Sequence, residues 1–457
     1  MIRRTGLRAA LALSLALGPA LPAGSEGRVL TPGQMRNLAA VALDARDPGT
    51  AMTLTSALLE RDPEDVQALL IRSRAARDAG DYRLAEKTAR QAWSLSEDDR
   101  TRHAASLAMA QALSSQGQRT RAQLWLRRAA QVAPSPAARA AAVRDFRYVR
   151  SRNRWSTQLQ FNVAPKSNIN NGSARSTFTE ILFGREYELP LPGAAQALAG
   201  TELSVGVATR YRVAETTRRA TDLTFSAGYT TYALTEGAKT LAPGAKGSDY
   251  ALGTLTTGIA QKWLSKDGRT EYTLDGSIGR SWYSGDPYGN HVEAEAGVNR
   301  ALDRNTRLSF SAKAEFTRGP NAPHSDAVTL SAQLGRALES GGQVTLWVSA
   351  TESRSDVNVA RFTNYAAGIQ YAPAMKVLGA SPRFGLGLRK RDYPVSSFAP
   401  GHRNDVEQSA WIDLTFREID YFGFHPTVRV QASRSNSNIN LFDIDRSGIS
   451  FGIGSSY

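Results

Sequence analysis

The sequence of 457 residues has no cysteine, no long hydrophobic run and no composition typical of disorder. The absence of cysteine excludes disulfides, thiolate metal sites, a cysteine nucleophile and a lipid-modified N-terminal cysteine. Hydrophobic residues make up 41% of the chain, mean hydropathy is −0.35, and no stretch offers the roughly 20 uninterrupted apolar residues of a membrane-spanning helix. A polytopic helical membrane protein is therefore excluded. Seven Trp, 15 Tyr and 15 Phe supply ample material for burial, which excludes a disordered chain.

Motifs for enzymatic chemistry are scarce. The five histidines lack a spacing suited to a metal site, and no phosphate-binding glycine loop or His-Glu-x-x-His motif occurs. Residues 448–452 match the Gly-x-Ser-x-Gly pattern of a nucleophile elbow. That motif requires a strand-to-helix turn, whereas these residues lie in an alternating strand pattern. We expect no catalytic residue, no metal and no cofactor, with a barrel lipase as a minor alternative.

The N-terminus predicts secretion. Residues 7–17 are largely apolar apart from Arg8, Gly18-Pro19 and Leu21-Pro22-Ala23 follow, and three arginines lie before this stretch or at its start: Arg3, Arg4 and Arg8. Because the apolar stretch is about half as long as a spanning helix, we predict a cleaved signal peptide over residues 1–23. The formal net charge of +14 falls to +11 without those three arginines.

Residues from Thr31 to about Val149 show helical periodicity, with apolar residues recurring at spacings of three and four. Thr31-Pro32 and Asp62-Pro63 predict helix starts, because each has a capping side chain followed by proline. The length of the chain favours two or three domains. We assign residues 28–150 to an all-α domain.

Two segments of this region resemble each other. Residues 80–85 with Ala92 align with residues 117–122 with Ala129, an offset of 37 residues. Gly80 and Gly117 then occupy tight turns, and the alanines lie where paired helices touch. The pattern resembles the tetratricopeptide repeat, whose period is about 34 residues. A generic helical bundle is the alternative, and either scaffold normally binds peptide or protein.

At Trp155 the hydrophobic period changes to two. Alternating apolar segments recur from there to the last residues, and fourteen of them occupy residues 155–457 at about 22 residues each. A soluble sandwich would need a second apolar face, but the other face is small or polar throughout. The pattern predicts an all-β domain, a 14-stranded antiparallel transmembrane barrel with apolar residues toward lipid.

The connections between these segments alternate in length. The long ones are residues 164–200, 233–248, 284–290, 318–325, 354–360, 394–402 and 436–445. The others are mostly short, for example 215–218, 265–269, 303–305 and 340–342, with 372–383 as an exception. Long loops on one side and short turns on the other are typical of outer-membrane barrels and place both termini in the periplasm.

Aromatic residues near segment ends predict girdles at the membrane interfaces. They are Trp155, Tyr211, Tyr229, Trp263, Trp282, Trp347 and Trp411. The alternating ending, with Phe451, Ile453 and the final Tyr457, resembles the C-terminal signal that the barrel-assembly machinery recognises.

The tetrapeptide Ser-Asn-Ile-Asn occurs twice. It follows the first strand as Ser167, Asn168, Ile169 and Asn170, and it precedes the last strand as Ser437, Asn438, Ile439 and Asn440. A shared turn geometry is one explanation, because asparagine tolerates the left-handed conformation. The other is that amide side chains of the two runs bond across the seam of the barrel. The apolar stretch 189–195 in the first connection is expected to fold back as a plug.

Residues 164–170 (Ala-Pro-Lys-Ser-Asn-Ile-Asn, with Pro165), residues 421–426 and residues 437–446 resemble the surface lipoprotein assembly modifier (Slam) family. Members are outer-membrane translocons that move lipoproteins, or related soluble haem- or metal-scavenging proteins, to the cell surface. The chain departs from the family in having Lys166 at a usually acidic position and in ending with Tyr457.

The resemblance implies a non-enzymatic export channel in the outer membrane of a Gram-negative bacterium, with periplasmic repeats that receive the substrate. Expected partners are an exported lipoprotein or secreted protein, the barrel-assembly machinery, and outer-membrane lipid and lipopolysaccharide. No nucleic acid is expected. A passive porin with an accessory helical domain is the alternative.

Overall fold

The structure is a computed structural model that describes residues 30–182, 185–396 and 401–455. The predicted signal peptide and Tyr457 lie outside the described residues. The chain forms two compact units that divide after Ala92. Helices precede the first strand: α1 Pro32–Asp44, α2 Pro48–Arg61, α3 Val66–Asp78, α4 Tyr82–Leu95, α5 Asp99–Ser115, α6 Arg119–Gln131 and α7 Pro136–Arg152. In the described part of the chain, no helix combines the length and the apolar character needed to cross a membrane.

Side-chain caps determine where these helices begin. Thr31 caps α1 in a capping box, with Pro32 at the first helical position, as predicted. The start predicted at Asp62-Pro63 is wrong, because α3 begins at Val66. The carboxylate of Asp65 accepts a hydrogen bond from the third helical N–H at 3.0 Å and so takes the capping role.

Gly80 lies in the turn between α3 and α4, and Gly117 lies in the turn between α5 and α6. Their φ angles are +86° and +79°, a left-handed conformation that glycine adopts without steric cost. In both units the paired helices bury small residues completely, among them Ala85 and Ala92 of α4 and Ala129 of α6. The all-α part of the predicted fold is confirmed.

Strands with alternating side chains follow α7 directly. They are β1 Trp155–Lys166, β2 Thr177–Leu182, β3 Arg185–Pro190, β4 Gly200–Glu215, β5 Arg219–Leu234, β6 Leu252–Leu264, β7 Thr270–Tyr283, β8 Asp286–Ala301, β9 Thr306–Arg318, β10 Ser325–Ala337, β11 Gln343–Ser355, β12 Phe362–Ala372, β13 Ser381–Tyr393, β14 Arg403–Thr415, β15 Phe424–Ser437 and β16 Ile444–Ser455. β2 and β3 form a separate hairpin, and the other fourteen close into one antiparallel barrel in chain order. The predicted 14-stranded barrel is confirmed.

The two faces of the barrel differ as the alternation predicts. In β9, the large side chains of Phe310 and Phe316 are exposed on the outer face, and Ser311 and Lys313 alternate with them on the lumen side. An apolar outer face and a polar interior fit a barrel that lipid surrounds.

Two of the seven predicted girdle residues are on the other face. Trp347 alternates with the exposed Leu346 and Val348, and Trp411 alternates with Ile412, so both indoles lie on the lumen side. Arg429 stacks over the Trp411 ring at 4.9 Å. The prediction for this pair is wrong, because closeness to a strand end does not fix which face a side chain occupies.

The connections between the strands also alternate in length, but the one predicted at residues 284–290 differs from the prediction. The long-loop end carries the connection of residues 167–199, which contains β2 and β3, and residues 235–251, which contain the short helix α8 Glu236–Leu241. The predicted loop 284–290 is instead a two-residue turn. Ser284 and Gly285 both have positive φ, the geometry of a tight hairpin, and the flanking strands continue up to them.

Candidate functional site

The barrel closes where β1 meets β16. At this seam fewer of the described residues are paired than between any other two neighbouring strands of the barrel. β1 pairs with β4 at every residue from Trp155 to Lys166. With β16, among the described residues, it pairs at three positions: Asn162–Gly452, Val163–Phe451 and Lys166–Gly448. Every other neighbouring pair in the barrel has nine or more residue pairs in register. The seam is therefore the least extensively paired junction of the barrel.

Pro165 weakens the seam further. The N–H of Ser167 donates to the carbonyl of Ser447 across the seam at 2.9 Å. Residues two apart in a strand present their N–H groups to the same neighbour, so the N–H that Pro165 lacks would also have faced β16. One ladder hydrogen bond is consequently missing from the seam.

The first Ser-Asn-Ile-Asn run builds the start of the long connection. The side-chain amide of Asn168 donates to the Gly172 carbonyl at 2.8 Å and accepts from the Gly172 N–H at 3.1 Å. Asn170 accepts from the N–H of Leu198 at 3.0 Å, and the N–H of Ile169 donates to the Leu198 carbonyl at 2.9 Å. These contacts lie within residues 167–199 and fold that connection back on itself.

The second run joins three different elements. Asn438 accepts from the N–H of Asn404 in β14 at 2.8 Å. Asn440 donates to the Thr179 hydroxyl of β2 at 2.9 Å. Ser437 shapes the turn itself, since its hydroxyl accepts from the N–H of Ile439 at 3.2 Å. Each asparagine of either run thus has its own partners, and the structure gives no bond between the two runs within its described residues.

The outer end of the seam is held partly by the first run, because Ser167 bonds to Ser447 across the seam and Asn168 donates to the Asp445 carbonyl at 3.4 Å. Residues next to the runs hold the rest of this end. Arg175 donates to the Asp443 carboxylate through two nitrogens, at 3.0 and 3.1 Å. The N–H of Ala174 donates to the Asp443 carbonyl at 2.7 Å, and Arg446 donates to the Asn171 side chain at 3.0 Å. We call these last five residues the seam clasp. Sequence reasoning missed it, because opposite charges 268 residues apart give no local signal.

An apolar cluster lies beside the clasp. Its buried members come from the first connection, from the end of β5 and from α8: Ile169, Leu198, Leu234, Ala238 and Ala242. Tyr250 packs against them, and burial raises the pKa of its phenol. Gly193 approaches α8 so closely that an added Cβ would meet the Leu241 carbonyl. The apolar stretch 189–195 is therefore packed against the neighbouring loop, and its role as a plug stays a prediction.

At the opposite, short-turn end, α6 is bonded to the turn between β14 and β15. Arg127 donates to the Phe422 carbonyl at 2.7 Å and to the Ser455 hydroxyl at 2.9 Å. Its guanidinium also lies 4.4 Å from the centre of the Phe424 ring, within cation–π range. The Arg127 side chain thus connects α6 to β15, to β16 and to the turn between β14 and β15.

Two further contacts complete this docking. Gln131 accepts from the N–H of Phe422 at 2.8 Å, and Arg139 of α7 forms an ion pair with Asp420 at 2.8 Å. The carboxylate of Asp420 is largely buried. Charge-assisted bonds to such groups are stronger than those to exposed ones, so α6 and α7 are firmly fixed to the rim of the barrel.

The turn between β14 and β15, to which α6 docks, is contacted by another connection on the same rim. Lys376, in the connection between β12 and β13, donates to Glu418 at 2.6 Å. This hydrogen bond lowers the pKa of Glu418. Because both side chains are exposed, the pair adds little stability, and its effect is to align the two turns.

The remaining predicted residues lie in the last and first strands. Phe451 and Ile453 face outward from β16, as a lipid-facing terminal strand requires. Lys166, the departure from the family pattern, forms an ion pair with Glu202 of β4. The positive charge at Lys166 thus has an acidic partner inside the lumen.

The Gly-x-Ser-x-Gly residues and most side chains that could ligate a metal lie in the part of the chain that the structure describes. No group of three or more His, Asp or Glu side chains is placed to hold a metal ion in this part of the chain. Residues 448–452 are in the middle of β16 with paired neighbours, so Ser450 is not on a nucleophile elbow.

The closed barrel and its apolar outer face, preceded by paired helices, define an outer-membrane barrel protein with an N-terminal helical-repeat region. Residues 155–451 match the family described as surface lipoprotein assembly modifier. The chain belongs to this family. The match covers the barrel and none of the helices before it.

Several solved structures resemble parts of the chain at low identity. A bacterial polysaccharide outer-membrane secretin is 6% identical over 65% of this chain and 98% of its own, with a TM-score of 0.34. OccAB3 of Acinetobacter baumannii is 8% identical over 66% and 99%, with a TM-score of 0.35. The first TPR domain of human RPAP3 is 13% identical over 27% and 94%, with a TM-score of 0.24. Nothing about function follows from these likenesses, and no curated protein matches the chain.

Proposed function

We propose that the chain is a translocon that passes surface lipoproteins, or related secreted haem- or metal-scavenging proteins, outward through the outer membrane. The helical repeats receive the cargo in the periplasm, and the barrel conducts it. Family membership supports the class of cargo. Outer-membrane barrels keep their short turns in the periplasm, which supports the orientation.

The docking of α6 and α7 carries the proposal. Arg127, Gln131 and Arg139 bond to residues 420–424 at the short-turn rim. The paired helices α6 and α7, of a kind that binds polypeptide, are therefore held beside the entrance of the lumen. A passive channel has no need of such a scaffold there.

The dimensions limit the state of the cargo. A barrel of fourteen strands is wider inside than an eight-stranded barrel, whose interior side chains fill. An extended polypeptide fits this lumen, and a folded domain does not. The sequence has no nucleotide-binding motif, so we propose that folding of the cargo outside the cell drives its passage.

A lipid-modified cargo also needs a way out of the lumen into the membrane. The seam provides it, because Pro165 and the three-position ladder leave β1 and β16 weakly joined. We propose that the strands part there. The seam clasp would then hold the outer rim while the rest of the seam opens. The barrel-assembly machinery, which would insert the strands, and outer-membrane lipid and lipopolysaccharide, which would surround them, complete the proposed partners.

Deletion of the gene that encodes this chain tests the proposed function. We expect a small set of lipoproteins or secreted proteins to disappear from the surface and to accumulate in the periplasm. Quantitative proteomics of protease-shaved cells measures this, and the proteins lost define the cargo for the experiments below. An unchanged surface with reduced uptake of small solutes would support a passive porin instead.

A further inference from the structure

Six arginines converge at the short-turn end of the barrel around a pocket of about 430 Å³. Four come from the end of α7 and its link to β1, and two come from β4: Arg147, Arg150, Arg152, Arg154, Arg210 and Arg212. Guanidinium groups stay charged at every physiological pH. We call this set the arginine pocket.

The two arginines of β4 are neutralised within the barrel. Asp222 of β5, 1% exposed, accepts from Arg210 at 3.3 Å and also from Arg212. Glu215 forms an ion pair with Arg212 at 2.8 Å. The other four arginines have no carboxylate within ion-pair distance in the described part of the chain. Among the described residues, four positive charges of the pocket thus lack an acidic partner, although Arg152 stacks over the Tyr148 ring at 4.4 Å.

The backbone that carries these charges is held in place. Arg119 of α6 donates to the Arg152 carbonyl at 3.0 Å, and Asn153 donates to the Thr120 hydroxyl at 2.9 Å. On the barrel side, the N–H of Arg212 donates to the carbonyl of residue 154 at 2.8 Å. The link is therefore fixed between α6 and β4. Like charges held close together repel one another, and a bound anion would remove that repulsion.

Strand alternation shows which side of the barrel the pocket faces. Ser156, Arg210 and Arg212 line it, and they alternate with Trp155 and Tyr211. The rings of Trp155 and Tyr211 pack together on the outer face, with their centres 4.7 Å apart. The barrel wall of the pocket is thus lumen face, and membrane lipid lies on the opposite side of the same strands. An anion reaches this pocket by way of the lumen entrance.

We propose that the arginine pocket binds acidic segments of the polypeptide that enters the lumen. This rests on the proposed export function and adds a property of the cargo, a stretch rich in Asp or Glu that docks before passage. The charges are exposed, so the binding is fast, reversible and sensitive to salt. Such a site holds a cargo at the entrance without trapping it.

Binding of a labelled decaglutamate peptide to the purified full chain in detergent tests this. Fluorescence anisotropy should show binding that weakens steeply between about 50 and 200 mM salt. The triple variant R147Q/R150Q/R154Q should bind at least about tenfold more weakly. The control variant R100Q/R144Q/R304Q loses the same three charges outside the pocket and should bind within about twofold of the parent chain.

Two results would overturn the proposal. One is equal binding by the pocket variant and the control variant, which would mean that only overall charge attracts the peptide. The other is that micelles containing phosphatidylglycerol bind with the same arginine dependence and displace decaglutamate, which would assign the pocket to lipid headgroups. Because the assay needs no export, normal peptide binding together with an unchanged surface proteome would refute the proposed function and leave the pocket intact.

Discussion

A disulfide between cysteines at positions 162 and 452 will reduce surface release of lipid-modified cargo to less than about a tenth of the parent level, because a locked seam cannot part. Asn162 and Gly452 lie directly opposite each other across β1 and β16. The chain has no native cysteine, so no other thiol competes. Reduction should restore release. Cargo in the surface fraction, measured before and after reductant, gives the result.

The matched control uses the other neighbour of the same residue. Asn162 lies opposite Ser204 of β4, so cysteines at these two positions lock a fully paired interface. This variant should release cargo normally in both redox states. A soluble cargo should pass through either variant, since it needs no exit into the membrane. Normal release of lipoprotein through the oxidised 162–452 variant would refute the lateral exit.

Deletion of residues 30–149 will leave an inserted barrel and abolish export. The strands of the barrel pair among themselves from Trp155 onward, so the barrel buries its backbone without the helices. Heat-modifiable migration in gels reports the folded barrel, and surface display of cargo reports export. A deletion variant that fails to insert would place the domain boundary elsewhere than near residue 150.

A smaller change separates docking from the mere presence of the helices. In R127A/R139A the helices remain, but the bonds to Phe422, Ser455 and Asp420 are lost. Charge-assisted bonds of this kind contribute about 1.5–3 kcal/mol each. Export should fall at least about tenfold, while R100A/R144A, which removes two arginines without these bonds, should export normally. Equal export by the two variants would show that the position of the helices at the rim is unimportant.

Much of the architecture follows from periodicity alone. The change from a helical repeat to a period of two at Trp155 coincides with the end of α7 and the start of β1. Side-chain alternation sets the two faces of the barrel, because successive side chains of a strand point to opposite faces. The girdle prediction fails for Trp347 and Trp411 because closeness to a strand end does not specify which face of the strand a side chain occupies.

The site was less predictable than the fold. The two Ser-Asn-Ile-Asn runs flank the seam, yet Asn168 bonds to Gly172 of the first connection and Asn438 bonds to Asn404 of β14. The seam clasp joins Arg175 to Asp443, and the docking joins Arg127 to Phe422. Contacts between residues this far apart in sequence depend on barrel closure and strand register, which local patterns do not specify.

Site-specific photocrosslinking to a stalled cargo is the sharpest test of whether polypeptide passes through the lumen of this barrel. Ser311 and Ala312 are adjacent in β9, and alternation places Ser311 toward the lumen and Ala312 toward lipid. A cargo fused to a domain that folds before export should stall in the channel. A crosslinker at position 311 should capture this cargo, and a crosslinker at position 312 should not. Capture at neither position, or equally at both, would contradict passage through the lumen.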